Sequence, residues 1–123
     1  FQYLNRNAKK TDIVFCLYEE YPLMFYTSLA IRGGEGKIGA FPEDPRNKTF
    51  GIEPVHKPEW IVFRRGWEFL YPKDFLMNLL SQAKYEEVRL PVEDMGWGNR
   101  PCPLYHYFYS PLVENPLILY KRK

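Results

Sequence analysis

Short apolar runs divide the chain into segments that predict strands. Residues 12–18 (DIVFCLY) and 58–64 (PEWIVFR) each hold an unbroken apolar run beside charged residues. Such runs are typical of strands that are buried on both faces of a parallel sheet. The pattern also predicts a brief strand at 30–32 that ends at two glycines, an alternating outer strand at 85–90, and a terminal strand at 117–121.

Helical spacing of apolar residues appears between these strands. Residues 71–83 contain the clearest case, with Pro72 at the start and Asp74 in the first turn. The apolar residues on one face of that helix are Phe75, Leu76, Leu79, Leu80 and Ala83. Residues 23–29 predict a short helix that follows a proline and two acidic residues, and residues 1–10 predict the tail of a helix that begins upstream.

The order of these elements predicts an α/β fold in one domain. We expect a small three-layer sandwich with a mostly parallel sheet of about four to five strands, in which the last two strands form an antiparallel pair at the edge. Residues 11–123 would form this domain, and residues 1–10 the end of an upstream helix or a linker. Residues 36–56 are rich in glycine and proline and predict a long excursion, in which residues 37–41 could form a short strand.

Composition and charge narrow the classes of function. The formal net charge is +2, from 17 basic and 15 acidic residues, which is too balanced to indicate nucleic-acid binding. No apolar run approaches the ~20 residues that a membrane-spanning helix needs. Basic residues cluster at the two ends of the chain, where they are either solvated or close to anionic lipid headgroups. Of the two cysteines, Cys16 is expected to be a buried hydrophobe, and a bridge to Cys102 would need an oxidising compartment.

Motifs for common cofactor and catalytic sites are incomplete in this chain. Residues 34–39 match G-x-G-x-x-G, but Pro42 and then Pro45 follow, so no helix of useful length is expected to start there and face a pyrophosphate. His56 and His106 lie far apart without acidic or cysteine residues at ligand spacing. A thiol in an apolar strand, such as that of Cys16, has too high a pKa to act as a nucleophile. We therefore expect no cofactor, no metal and no catalytic residue in this chain.

Two adjacent arginines follow a predicted buried strand. Ligands bind outside the carboxyl ends of strands in open α/β sheets, so Arg64 and Arg65 are candidates to hold a phosphate or carboxylate. The alternative is structural, with one of the arginines holding loops in place by pairing with a nearby acid, which would be Glu68, Glu93 or Asp94.

The stretch at 93–111 (EDMGWGNRPCPLYHYFYSP) combines prolines, glycines, aromatic residues and polar side chains. One interpretation is a structural loop whose polar side chains satisfy its own amide groups. The other is a surface that meets a phosphate- or sugar-bearing ligand or a membrane interface, since aromatic residues beside Arg and His suit both. The candidate residues in this stretch are Asp94, Trp97, Asn99, Arg100 and His106.

Three segments together resemble the C-terminal domain of GT-C-type polytopic membrane glycosyltransferases, the bacterial relatives of the aminoarabinose and protein mannosyltransferases. The first is TDIVFCLYEEYPLMFYTSLAIRGGEG (11–36), a strand, a P-L-x-F-Y-T helix and a G-G turn. The second is KPEWIVFRRG (57–66), similar to a P-D-W-I-V-x-R strand, with Glu59 where that pattern has Asp. The third is RLPVEDMGWGNRPCPLYHYF (89–108), similar to an L-P-x-x-D-x-x-W-x-N-R-P-x-P-x-x-H-x-F loop. The order of the three segments is the specific part of this resemblance.

The resemblance implies a role in transfer from a lipid-phosphate-linked sugar. The catalytic carboxylate of such enzymes lies on an early extracytoplasmic loop, so this chain would not be catalytic alone. It would cap the active site from the aqueous side of the membrane, periplasmic or outer, and assist acceptor recognition. The implied partners are the transmembrane part of the same chain, a lipid-linked sugar or glycan acceptor, and the membrane surface.

Two other classes of function remain open from the sequence. The order of strands and helices also echoes the C-terminal part of a class I S-adenosylmethionine-dependent methyltransferase. In such an enzyme, however, the glycine loop that binds the cofactor precedes these strands, and only ten residues precede Thr11. A non-enzymatic interaction domain, with the aromatic loop binding a protein partner, is the other alternative.

Overall fold

The computed structural model describes residues 1–16, 20–33, 56–64, 74–94 and 116–123. Its helices are α1 (Gln2–Asn7), α2 (Glu20–Tyr26) and α3 (Phe75–Ser81). Its strands are β1 (Ile13–Cys16), β2 (Ala30–Arg32), β3 (Trp60–Phe63), β4 (Tyr85–Glu93) and β5 (Pro116–Arg122). The strands therefore occur where the hydrophobic pattern predicts them.

The strands form one mixed sheet in the order β2-β1-β3-β5-β4. Strand β1 pairs in parallel with β2 and with β3, whereas β5 pairs antiparallel with both β3 and β4. Strands β1 to β4 consequently point the same way, and β5 runs against them. This arrangement confirms the predicted α/β class and the predicted antiparallel pair at the edge of the sheet.

Two apolar clusters cover the two faces of the sheet. Successive side chains of a strand point to opposite faces of the sheet, so neighbouring residues of one strand belong to different clusters. On one face, Leu4 of α1 and Leu23 of α2 pack with buried strand residues, which are Val14, Cys16, Ile31, Trp60, Val62 and Leu119. On the other face, Leu79 of α3 packs against Phe15 and Ile61. The helices α1 and α2 thus share one face, and α3 lies on the opposite one.

Side-chain hydrogen bonds join the elements at the edge of the sheet where β1 and β3 begin. The Asp12 carboxylate accepts hydrogen bonds from the Trp60 indole N–H at 3.0 Å and from the Lys9 backbone N–H at 3.0 Å. The Glu59 carboxylate accepts one from the Ile13 backbone N–H at 2.8 Å and forms an ion pair with Arg122. These contacts connect β1, β3 and β5 through groups other than the strand ladder.

The helix boundaries differ from the predicted ones by several residues. Helix α2 begins at Glu20, so the acid predicted to precede the helix lies in its first turn and the helix ends at Tyr26. Helix α3 begins at Phe75, and Asp74 is its N-cap with φ of 62°, not a first-turn residue. Packing decides these ends, because a short helix can gain or lose a turn at little cost in free energy. The possible strand at 37–41 lies outside the described residues.

Tyr85 offers a test of the packing between β4 and the start of β3. Its hydroxyl donates to the Pro58 carbonyl at 2.8 Å. Burial raises the pKa of Tyr85 above its usual value of 10.0; Arg122 opposes the shift and Glu59 adds to it. Since the folded state disfavours the tyrosinate, the unfolded chain loses this proton first. The contribution of Tyr85 is therefore complete below about pH 10 and is lost as the pH rises through the higher folded pKa.

We expect Tyr85→Phe to lower the free energy of unfolding by about 1 kcal/mol at pH 7 through loss of the hydrogen bond. The variant should also lose less stability than the wild type between about pH 9.5 and pH 11, where tyrosine titrates. Urea unfolding over this range measures both effects. Tyr21→Phe is the matched control, because Tyr21 is 56% exposed. An alkaline slope that is identical in wild type and Tyr85→Phe would contradict the assignment.

Candidate functional site at the carboxyl edge of the sheet

The strands β1, β2, β3 and β4 share a direction, so their carboxyl ends lie at the same end of the sheet. We call this end the carboxyl edge. The chain passes from β1 through α2 to β2 on one side, whereas β3 lies on the other side of β1. In open α/β sheets, ligands bind outside the carboxyl ends of the strands at such a reversal of order. This edge is therefore the candidate site, and the residues at the strand ends are its described components.

A buried ion pair joins two of these strand ends. Arg64 follows β3 and Asp94 follows β4, and each residue is only 9% exposed. The Arg64 Nε–H donates to Asp94 Oδ1 at 2.7 Å. Strand β5 lies between β3 and β4, so the pair bridges strands that are about 10 Å apart. An arginine side chain is long enough for this, and it holds the end of β4 in place over the start of β5.

Two opposing free energies, the cost of desolvation and the attraction between the charges, act on this buried ion pair. Removal of two charges from water costs several kcal/mol per ion, and mutual attraction offsets the cost only where both partners remain. This is one of the pairings given above as the structural alternative to ligand binding by Arg64. The structure places Arg64 and Asp94 together, whereas Arg65, Trp97, Asn99, Arg100 and His106 lie outside the described residues.

A close backbone approach brings the ends of β1 and β2 together near α2. Glu20, in the first turn of α2, is 3% exposed. A Cβ atom on Gly33 would lie 2.1 Å from the Cys16 carbonyl oxygen and 2.1 Å from Glu20 Oε1. Only glycine leaves room for this approach, so the predicted glycine turn after β2 also allows a buried carboxylate to stand beside it.

An apolar cavity of about 200 Å³ lies beneath the α1–α2 layer. Leu4, Leu23, Val62 and Leu119 contribute to its walls, and Arg64 is the charged member of its described lining. An apolar space that meets a guanidinium can accept an apolar group that carries an anion. The cavity thus places Arg64 at the boundary between the core and the carboxyl edge.

Two features of this region were not predicted from the sequence. One is the burial of Glu20, which the sequence pattern identified only as one of two acids that precede a helix. The other is the outward side of α2, where Tyr21, Met24 and Phe25 are exposed although Leu23 is buried. The sequence did contain a signal for the exposed side of α2. A helix that is apolar on all sides can bury one face in the core, and its other face then needs a second apolar surface.

Two common kinds of feature, a metal centre and a membrane-spanning helix, are absent from the part of the chain that the structure describes. Within the described ranges, no three His, Cys, Asp or Glu side chains are grouped so that they could hold a metal ion. The described part of the chain contains no helix with the length and apolar character needed to cross a membrane. Comparison with models of protein families, with curated proteins and with solved structures gave no match.

Substitution of both ion-pair partners distinguishes a coupled pair from two independent residues. We expect Asp94→Leu and Arg64→Met each to lower the free energy of unfolding by about 3–5 kcal/mol, because each removes the opposite charge of this pair from the remaining buried charge. The double variant Arg64→Met/Asp94→Leu should recover most of that loss. Urea unfolding of the four proteins gives the coupling free energy.

The exposed pair Arg89–Glu87 on β4 serves as the matched control for this cycle, and its removal should change stability little. Additive losses in the Arg64–Asp94 double variant would show that the two residues are not coupled.

Gly33→Ala tests the close approach at the ends of β1 and β2. The added methyl group would overlap Cys16 O and Glu20 Oε1, and we expect a loss of about 2–4 kcal/mol in the free energy of unfolding. The double variant Gly33→Ala/Glu20→Ala should recover only part of the loss, since the Cys16 carbonyl remains. Full recovery, measured by thermal and urea unfolding, would show that the side chain alone causes the clash.

Proposed function

We propose that this chain forms the extracytoplasmic C-terminal domain of a membrane glycosyltransferase that uses a sugar carried on a lipid phosphate. The domain caps the active site on the periplasmic or outer face and assists acceptor recognition, and it is not catalytic alone. Its partners are the transmembrane part of the same chain, the lipid-linked sugar or glycan acceptor, and the membrane surface. In its complete form the domain is a small three-layer sandwich.

The observation that carries this proposal is the convergence of the three resembling segments at one edge of the sheet. The first contains β1, α2 and β2 and reaches Gly33 at the carboxyl edge. The second contains β3 and reaches Arg64 there, and the third begins in β4 and reaches Asp94. Separate segments that share an edge can act on one ligand, which scattered segments cannot do.

The ion pair supports a proposal in which some residues at this edge position the chain and others contact the ligand. Arg64 is bonded to Asp94, the first candidate residue of the third segment. A buried charge pair of this kind favours one arrangement of the strand ends over others. In the proposed function it holds the point from which the stretch with Trp97, Arg100 and His106 begins. Arg64 and Asp94 are thus positioning residues, and the ligand contacts fall to residues further along the third segment.

Transfer assays with the full-length protein in native membranes test this proposal. Donors are undecaprenyl-phosphate aminoarabinose and polyprenyl-phosphate mannose, with label transfer to lipid and protein fractions as the readout. We expect transfer from one donor, and a loss of at least about tenfold in turnover for Arg100→Ala or His106→Ala, since a charged contact to a ligand contributes about 1.5–3 kcal/mol. The melting temperature of these variants should stay close to that of the wild type.

Arg89→Gln is the matched control, because Arg89 is an exposed arginine on β4. Equal losses of turnover and melting temperature in Arg100→Ala and His106→Ala would show that they only stabilise the loop. The natural reading frame gives an independent check. Repeated apolar spans upstream of Phe1 are expected, and a start codon close to Phe1 would overturn the proposal.

A second candidate function has one observation in its favour. The last strand of the chain, β5, runs antiparallel to the strands that precede it, as in the C-terminal part of a class I S-adenosylmethionine-dependent methyltransferase. The glycine loop that binds the cofactor in such enzymes precedes these strands, whereas the glycine motif of this chain, at 34–39, follows β1 and β2 in the sequence. Isothermal titration calorimetry with S-adenosylmethionine separates the two candidates, and saturable micromolar binding would reverse their order.

A further inference from the structure

Large apolar side chains are exposed mainly on one side of the described structure. Phe25 is 81% exposed, Tyr26 58%, Tyr21 56%, Phe1 51% and Met24 49%. All five belong to α2 or to the residue before α1, and we call them the aromatic face. Contiguous exposed apolar surface of this kind marks an interaction site more often than scattered single residues do.

Aromatic rings of the aromatic face pack against each other. The rings of Phe1 and Tyr26 are 4.9 Å apart, and those of Phe25 and Tyr26 are 4.9 Å apart in an edge-to-face arrangement. The Asn5 side-chain amide donates to the Tyr26 carbonyl at 3.0 Å, which ties α1 to the end of α2. Leu23 anchors α2 in the core from beneath. These contacts connect the aromatic face to α1 and to the core.

The exposed charged residues in and just after α1 are basic, whereas Asp12, which follows them, is partly buried and accepts a hydrogen bond from the Lys9 backbone N–H. Helix α2 carries one acid, Glu20, and it is buried at 3% exposure. Three exposed basic residues lie in or just after α1, which shares this side of the sheet, namely Arg6, Lys9 and Lys10. An aromatic surface with adjacent cations is complementary to a bilayer interface that contains anionic lipid.

We propose that the aromatic face docks on the surface of an anionic phospholipid bilayer. Tyrosine, phenylalanine and methionine enter the interface between headgroups and acyl chains, while the α1 cations lie near the anionic headgroups. Binding by so small a face is weak, reversible and sensitive to salt. This inference rests on the proposed function for its membrane partner and adds the face and the lipid class, but it needs no sugar chemistry.

Vesicle flotation of the 123-residue chain tests the inference. The probes are vesicles of phosphatidylcholine alone and of three parts phosphatidylcholine to one part phosphatidylglycerol. We expect binding to the anionic vesicles, weaker binding to the neutral ones, and release at high salt. Phe25→Ser should weaken partitioning about tenfold through lost apolar burial. Lys9→Gln/Lys10→Gln should weaken it about fivefold for each cation, and only on anionic vesicles.

Two matched controls lie elsewhere on the chain. Met77, on α3 at the opposite face of the sheet, is 68% exposed, so Met77→Ser removes a strongly exposed apolar group outside the aromatic face. Lys84→Gln removes an exposed cation outside α1. Both variants should bind vesicles as the wild type does, and circular dichroism establishes that all variants are folded.

The outcomes separate the possible occupants of the face. Equal losses in Phe25→Ser and Met77→Ser, or no vesicle binding by the wild type, would overturn the inference. Concentration-dependent self-association that Phe25→Ser abolishes, without vesicle binding, would assign the face to a second copy of the chain. Vesicle binding together with absent glycosyl transfer would uphold the docking face and reject the proposed function, and the reverse result would do the opposite.

Discussion

The structure depends on one constraint of topology, the insertion of β5 antiparallel between β3 and β4. Because β5 is antiparallel to both of its neighbours, β3 and β4, strand β4 must run parallel to β1, β2 and β3. Four strand ends therefore meet at a single edge. Without that insertion, Asp94 would not stand within reach of Arg64, and the chain that follows β4 would not leave from the same edge as the chain that follows β3. The gathering of ligand candidates at the carboxyl edge is a consequence of strand order.

The two edges of the sheet differ in how their polar groups are used. At the edge where β1 and β3 begin, Asp12 and Glu59 accept hydrogen bonds from neighbouring backbone and indole groups, and these contacts fix the starts of the strands. At the carboxyl edge, Arg64 and Asp94 form a buried ion pair beside an apolar cavity. A buried pair contributes little net stability but strongly disfavours separation of its partners. The contacts at the first edge thus connect the strand starts, while the ion pair at the second edge holds the ends of β3 and β4 in one arrangement.

The layer formed by α1 and α2 has two apolar sides with different roles. Its inner side, through Leu4 and Leu23, completes the core, and its outer side presents Phe25 and Tyr26 to solvent. In the function proposed above, the domain would meet both a ligand and the lipid surface. The carboxyl edge and the aromatic face border the same layer, since Phe1 lies in the wall of the cavity that Arg64 also lines. Docking through the aromatic face would bring the carboxyl edge close to the bilayer, where a lipid-linked sugar is carried.

The sequence by itself predicted the described strands and the class of fold, because the apolar runs within 12–18 and 58–64 are typical of strands that are buried on both faces of a sheet. It also indicated that Arg64 would meet either a ligand or an acid such as Asp94, but it could not choose, since the choice depends on which strand ends are neighbours. The ends of α2 and α3, the burial of Glu20 beside Gly33 and the exposure of Phe25 were decided by the tertiary structure alone. Local sequence patterns specify which residues are favoured in the core, whereas the order and direction of the strands specify which residues become neighbours.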